Sequence, residues 1–149
     1  MLIKHKTGSR WYEISCATLL LITAGFKLHA ALLSSAMIMK QPDPIFLVSN
    51  RLLMLGTSFF EILAAAILLL NFSQRINLRL IEWTGFCFLS YHVISWFVGT
   101  NVCPCLGRIV KISSWLDAHQ NIFIWAIIFY MMSGSFLLLK RKNELERIS

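Results

Sequence analysis

The chain has 149 residues; 57% are hydrophobic and 14% are charged, against roughly 25% charged in an average soluble domain. A soluble domain of this size has no interior large enough for that apolar surface, and several spans of about 20 residues each leave no room for a large domain outside a bilayer. The net charge of +7 would suggest nucleic acid in a soluble chain. Here the Lys and Arg residues flank apolar runs, with no basic-aromatic interleaving, so the lipid bilayer is the expected partner and nucleic acid is not.

The first apolar run covers about residues 11–33, behind Lys4, Lys6 and Arg10. It is longer than the apolar stretch of about 7–15 residues in a signal peptide, and Leu33-Ser34-Ser35-Ala36 is a weak cleavage sequence, so the run is expected to be retained. It carries Cys16, Lys27 and His29. The second run covers about residues 45–70, after Pro42 and Pro44, which stand where they do no harm to a helix interior. It holds Arg51 near one end and Glu61 near its middle. The third, about residues 80–100, carries Cys87 and His92, and the fourth covers about residues 121–139. Each run is long enough to cross about 30 Å of hydrocarbon at about 1.5 Å per residue, and lipid demands helices because it offers backbone groups no water. The expected fold is all-α: one domain over residues 1–149, a four-helix membrane bundle. Gly56, Gly85 and Gly134 lie within runs and would permit close helix contact.

Between the third and fourth runs comes Val102-Cys103-Pro104-Cys105-Leu106-Gly107. In the residues that follow, Ile109, Ile112, Ser113 and Leu116 fall at helical spacing, which fits either a short surface helix or a plain loop. The basic residues give the topology. Lys4, Lys6, Arg10, Arg75, Arg79, Lys140, Arg141, Lys142 and Arg147 share one side of a four-span chain, and Lys40, Arg108 and Lys111 the other. Nine against three puts both termini in the cytoplasm of a bacterial-type inner membrane. Cys103 and Cys105 then face the periplasm or its equivalent, where disulfides persist.

Two thiols with one residue between them close a small, strained ring, and strained, exposed disulfides are the exchanging ones. Pro104 restricts the backbone between them, Gly107 eases the turn that follows, and Arg108 and Lys111 favour a thiolate by their charge. A redox-active pair is the preferred reading. A static disulfide is an alternative of small benefit, because so short a loop closes off little unfolded-state entropy. Metal binding with His92 or His119 is a third reading, against the usual Cys-x₂₋₄-Cys spacing of structural zinc. Cys16 and Cys87 read first as small apolar packers and second as another thiol pair. Charges at bilayer depth face the interior and pair, so Lys27 and Glu61 are expected partners, either fixing helix register or lining a polar cavity with His92. Arg51 is expected to snorkel to the headgroups, Asp117 to be solvated, and His29, His92 and His119 to be hydrogen-bonded or interfacial.

The pattern resembles the MauE/DoxX-like family of small redox-associated membrane proteins, the methylamine utilisation protein MauE type. Ala24-Gly25-Phe26-Lys27-Leu28 is similar to the family's Gly-x-x-Lys-like feature late in the first helix. Phe60-Glu61, ahead of a Leu-rich end, is similar to its Glu in the second. Cys103-Pro104-Cys105-Leu106-Gly107 resembles its Cys-Gly-Cys-Phe-Gly-like loop, and Gln120-Asn121 its polar opening of the last helix. Pro104 and Leu106 depart from Gly and Phe, and the proline bears on the pair's potential. The resemblance implies four membrane helices and extracytoplasmic thiol–disulfide chemistry beside a thioredoxin-like partner.

The function expected is therefore a membrane thiol–disulfide redox protein acting through Cys103 and Cys105. A quinone near Lys27, Glu61 and His92 is a candidate electron acceptor by analogy with membrane disulfide oxidases. Its rivals are a non-catalytic assembly factor that holds a partner protein in the membrane and a thiolate metal-handling protein.

Overall fold

The computed structural model describes residues 2–33, 40–70, 73–98 and 114–148, with side chains described for residues 9–33, 40–70, 73–98 and 122–144. They form four helices: α1 (Leu2–Leu33), α2 (Asn50–Leu70), α3 (Gln74–Phe97) and α4 (Ser114–Ile148).

Small side chains decide which helices lie closest. On α1, Ala17, Leu20, Ala24, Lys27 and Ala31 recur every three or four residues and are all buried; on α2, Met54, Ser58, Glu61, Ala65 and Leu68 do the same. Alanine and serine on such stripes let two backbones approach, which is how helices gain dispersion energy where lipid removes the hydrophobic drive. Cross-contacts give the directions. Arg10 reaches the carbonyls of Leu68 and Leu69, and Lys27 meets Glu61, so α1 and α2 are antiparallel. Asn77 sits level with Glu13, Phe88 with Lys27, and Tyr91 with Asp43, so α3 runs in the direction of α1. Tyr12 bonds to the Met131 carbonyl and His92 packs on Trp125, so α4 returns antiparallel to α3. The helices thus alternate up and down. The pairs α1–α2 and α3–α4 are closely packed, and α2 and α3 touch little.

The interior combines an apolar core, with Cys16, Ala17, Leu20, Leu68, Ile81 and Met131 among its residues, with several buried polar groups, and the surface is largely apolar. Glu13, Lys27, Ser58, Glu61, Asn77, Thr84 and Ser135 are buried, while Trp11, Phe59, Trp83, Trp96, Phe129 and Leu137 are exposed. Water would penalise that arrangement and lipid rewards it. Among the described residues three helical stretches are long and apolar enough to cross a membrane: Ser9–Leu33, Asn50–Leu70 and Ile122–Glu144. α3 falls short because Gln74, Arg75, Asn77, Arg79 and Glu82 crowd its first half. Its first half exposes Arg75 and Arg79 and buries Leu78 and Ile81, whereas from Trp83 onward its outward side chains include Trp83, Phe86, Ile94 and Trp96 and its inward ones Thr84, His92 and Ser95.

Boundaries differ from the sequence expectation at several places: α1 begins before its apolar run, at Leu2, and α4 continues past its run to Ile148. α2 starts at Asn50, so residues 45–49 of the second apolar run are not helical. Asp43 takes them instead: its Oδ1 accepts the backbone N–H groups of Ile45 and Phe46, each at 2.9 Å, and its own N–H donates to the Val48 carbonyl at 2.7 Å. Leu47 closes this turn in the left-handed region, at φ 57°. α3 starts earlier than expected, at Gln74. Residues 114–116 of the expected surface helix are the first turn of the continuous α4, and the remainder of that stretch lies outside the described residues.

Of the three glycines expected at helix contacts, Gly56 faces open space. A side chain on Gly85 would meet Met132 Cγ at 3.0 Å, and one on Gly134 would overlap the ring and hydroxyl of Tyr12. The Tyr12 hydroxyl donates to the Met131 carbonyl at 2.6 Å, and its ring packs against Tyr130, so it has little freedom to yield. Gly134→Ala should therefore destabilise the protein by about 1–3 kcal/mol, as overpacking does, whereas Gly56→Ala should be neutral or slightly stabilising. Thermal unfolding in detergent checks this. Equal midpoints for the two variants would remove Gly134 as the residue that sets the α1–α4 approach.

Candidate functional site

The centre of the site is the ion pair between Lys27 on α1 and Glu61 on α2; both side chains are buried, and the Lys27 ammonium donates a hydrogen bond to Glu61 Oε1. The pair forms because each residue lies on its helix's buried stripe and the stripes face one another. The Thr23 hydroxyl, one turn before Lys27, lies 3.2 Å from the other Glu61 oxygen. The Phe88 ring of α3 presents its face to the ammonium, 5.0 Å from the ring centre, a cation–π contact that strengthens away from water. Lys27 is thus held by a carboxylate and an aromatic face, each from a different helix.

Two spaces adjoin this pair. A chamber of about 40 Å³ is lined by Thr23, Lys27, Glu61, Phe88 and His92, with isoleucines of α4 as a further wall. His92 is buried, and its ring meets Trp125 edge-on at 5.0 Å. On the other side of Lys27 and Phe88, where α2 and α3 diverge, lies a cleft of about 490 Å³. Leu52, Phe60, Phe46, Cys87 and Tyr91 are among its walls, and Lys27 is the one charged group among the described residues that line it. That volume is in the range of pockets for small organic molecules, about 300–1,000 Å³, and the chamber is far below it. A quinone expected near Lys27, Glu61 and His92 would fit the cleft, beside Lys27, and not the chamber that Glu61 and His92 line.

Sequence reasoning missed two further buried acids. Glu13 accepts from Asn77 Nδ2 at 2.8 Å and from Ser9 Oγ at 3.1 Å, with Arg10 at 3.5 Å. Arg10 also donates to the carbonyls of Leu68 and Leu69, at 2.9 and 2.8 Å, where α2 ends, a favourable place for a cation on a helix C-terminus. One cluster therefore joins α1, α2 and α3 at the end opposite Asp43. Asp43 itself is fully buried, and its Oδ2 accepts the Tyr91 hydroxyl at 2.6 Å. Signals for both were present. Glu13 stands four helical turns before Lys27, hence on the same face, and Pro42-Asp43-Pro44 is a sequence in which Asp bonds its own following amides.

The remaining expected residues divide as follows. Cys16 and Cys87 are free thiols. Cys16 is fully buried among Ala17, Leu20, Ala65 and Met131, and Cys87 is exposed on the α2–α3 cleft. Arg51 and His29 are exposed. Cys103, Pro104, Cys105, Gly107, Arg108 and Lys111 lie outside the described residues, as does the side chain of His119. Among the described residues no three His, Cys, Asp or Glu side chains converge as a metal site. No family model matches the chain, and neither do characterised proteins or solved structures.

A buried ion pair is costly to break and inexpensive to replace whole. Lys27→Met or Glu61→Leu alone should cost about 3–5 kcal/mol, because each strands a charge, and the double variant should recover most of that loss. Unfolding midpoints in mixed micelles measure all four corners of this cycle. Strictly additive losses would show that the two side chains do not depend on one another.

Proposed function

We propose that the chain is a four-span membrane thiol–disulfide redox protein of the MauE/DoxX-like kind, with both termini cytoplasmic and Cys103 and Cys105 outward. The observation that carries this reading is the Lys27–Glu61 pair. The resemblance rested on a lysine late in the first helix and a glutamate in the second, and these two meet inside the bundle. The second half of α3 supports a fourth crossing: α3 runs in the direction of α1, and from Trp83 onward it turns Trp83, Phe86, Ile94 and Trp96 outward while Thr84, His92 and Ser95 are buried. An even number of crossings keeps the basic N-terminus, the Arg75 and Arg79 segment and the basic C-terminus on one side, as the charge distribution requires.

The chemistry is exchange at sulfur. One of the two cysteines attacks, as thiolate, a sulfur of the partner's disulfide and expels the other sulfur as thiolate. The second cysteine attacks the resulting mixed disulfide, leaving Cys103 and Cys105 oxidised and the partner reduced; the same steps in reverse oxidise the partner. Arg108 and Lys111, close in sequence, raise the thiolate fraction by their charge. The partner is an extracytoplasmic thioredoxin-like protein or disulfide client. A quinone-class acceptor fits the α2–α3 cleft by volume and apolar lining, and supplies, when bound, a two-electron couple soluble in the membrane.

Cys103→Ser and Cys105→Ser should each abolish exchange, read as the thiol state of a thioredoxin-fold partner after alkylation. A single-serine variant should also accumulate a mixed disulfide. Full exchange in both single variants would sink the proposal, and a double-serine variant that still binds and supports the partner would point to a scaffold instead.

A further inference from the structure

The chamber beside the ion pair has chemistry that thiol exchange does not use. His92 is nine-tenths buried, and its Nδ1 has no hydrogen-bond partner. A polar nitrogen this deep is normally satisfied by protein or by ordered water. His92 shares the chamber with Thr23, Lys27 and Glu61, while Ile124, Ile127 and Ile128 line it from α4.

We propose that this chamber is a binding site for water, which joins His92 Nδ1 to the Lys27–Glu61 pair. Size selects the ligand: about 40 Å³ exceeds the roughly 10–15 Å³ of such volume that one water needs, and excludes an organic molecule. Charge selects it too. Lys27 repels a cation and Glu61 an anion, so a neutral dipole is preferred. Hydrogen bonding completes the choice. An ammonium has three N–H donors, of which Glu61 takes one. A ligand that accepts from Lys27 and bonds His92 Nδ1 donates to it where Nδ1 presents a lone pair and accepts from it where Nδ1 carries the proton, and water can do both. Two to four polar partners are what a buried water requires, and His92, Lys27, Glu61 and Thr23 supply them. The proposal stands whether or not Cys103 and Cys105 exchange electrons.

Radiolytic hydroxyl-radical footprinting tests it on the full chain in lipid nanodiscs, because radicals made from a bound water oxidise the side chains around it. Ile128 is the reporter, being 3% exposed and a chamber wall; Leu68 and Ile81, 1% and 0% exposed and outside the chamber, are the references. Oxidation of Ile128 should exceed that of both references severalfold, and His92→Phe should bring it down to their level. Ile128 no more reactive than Leu68 and Ile81 in the unmodified protein would show a dry chamber and overturn the site, even if the His92 variant fails to fold. Strong Ile128 oxidation that persists in a folded His92→Phe variant would overturn the role given to His92.

Discussion

An ammonium and a carboxylate deep inside an apolar bundle are tolerated only together, and the pairing of Lys27 with Glu61 constrains everything packed around it. Sliding α1 past α2 by one turn would separate the two charges in a medium that does not solvate them, so the pair fixes register where alanine stripes alone would permit slippage. Phe88 then has its position, because its ring face must meet Lys27, and α3 is set against α1 by that contact. α3 packs mainly on α4; it meets α1 through Phe88 and the Asn77 bond to Glu13 and touches α2 little, which leaves the cleft between α2 and α3.

Polar contacts occur at both ends and within the bundle. Glu13 with Asn77 and Arg10 ties one end, Lys27 with Glu61 the interior, and Asp43 with Tyr91 the other end. Each acid is satisfied by more than one donor, and each cluster joins elements distant in sequence. Small residues allow the helices to approach, and the polar contacts select one approach among many. This division explains why the exposed surface is so rich in large apolar side chains: lipid-facing positions specify nothing about the partner helix.

Much of this was legible in the sequence. Apolar runs gave four helices, and the rule that intramembrane charges pair gave Lys27 with Glu61. The missed features share a physical cause. Glu13 sits at the basic edge of its run, where a charge reads as solvated, and only its phase relative to Lys27 places it inside. Residues 45–49 are apolar enough to look like the start of α2, yet Asp43 takes the amides of Ile45, Phe46 and Leu47 in a turn, because local hydrogen bonding outweighs apolar continuity at a helix edge. Small side chains at Gly56 and Gly134 look alike in sequence, but only Gly134 has a neighbour, and that neighbour, Tyr12, lies on a helix distant in the chain. Cys16 and Cys87 look equivalent by composition and depth, and their surroundings separate them: one is in the core, the other on a cleft.

The placement of the charges also bears on biogenesis. Translation delivers α1 before α2, and an unpaired lysine in hydrocarbon costs at least about 2.5 kcal/mol on an insertion scale. α1 therefore gains its stable seat only when the segment around Glu61 has emerged, which makes the α1–α2 hairpin, rather than a single helix, the unit that a translocon releases into lipid. Glu13 has Ser9 and Arg10 on its own helix from the start and gains Asn77 only with α3. The order of synthesis is thus the order in which buried charges acquire partners, and the chain matures from its first hairpin outward.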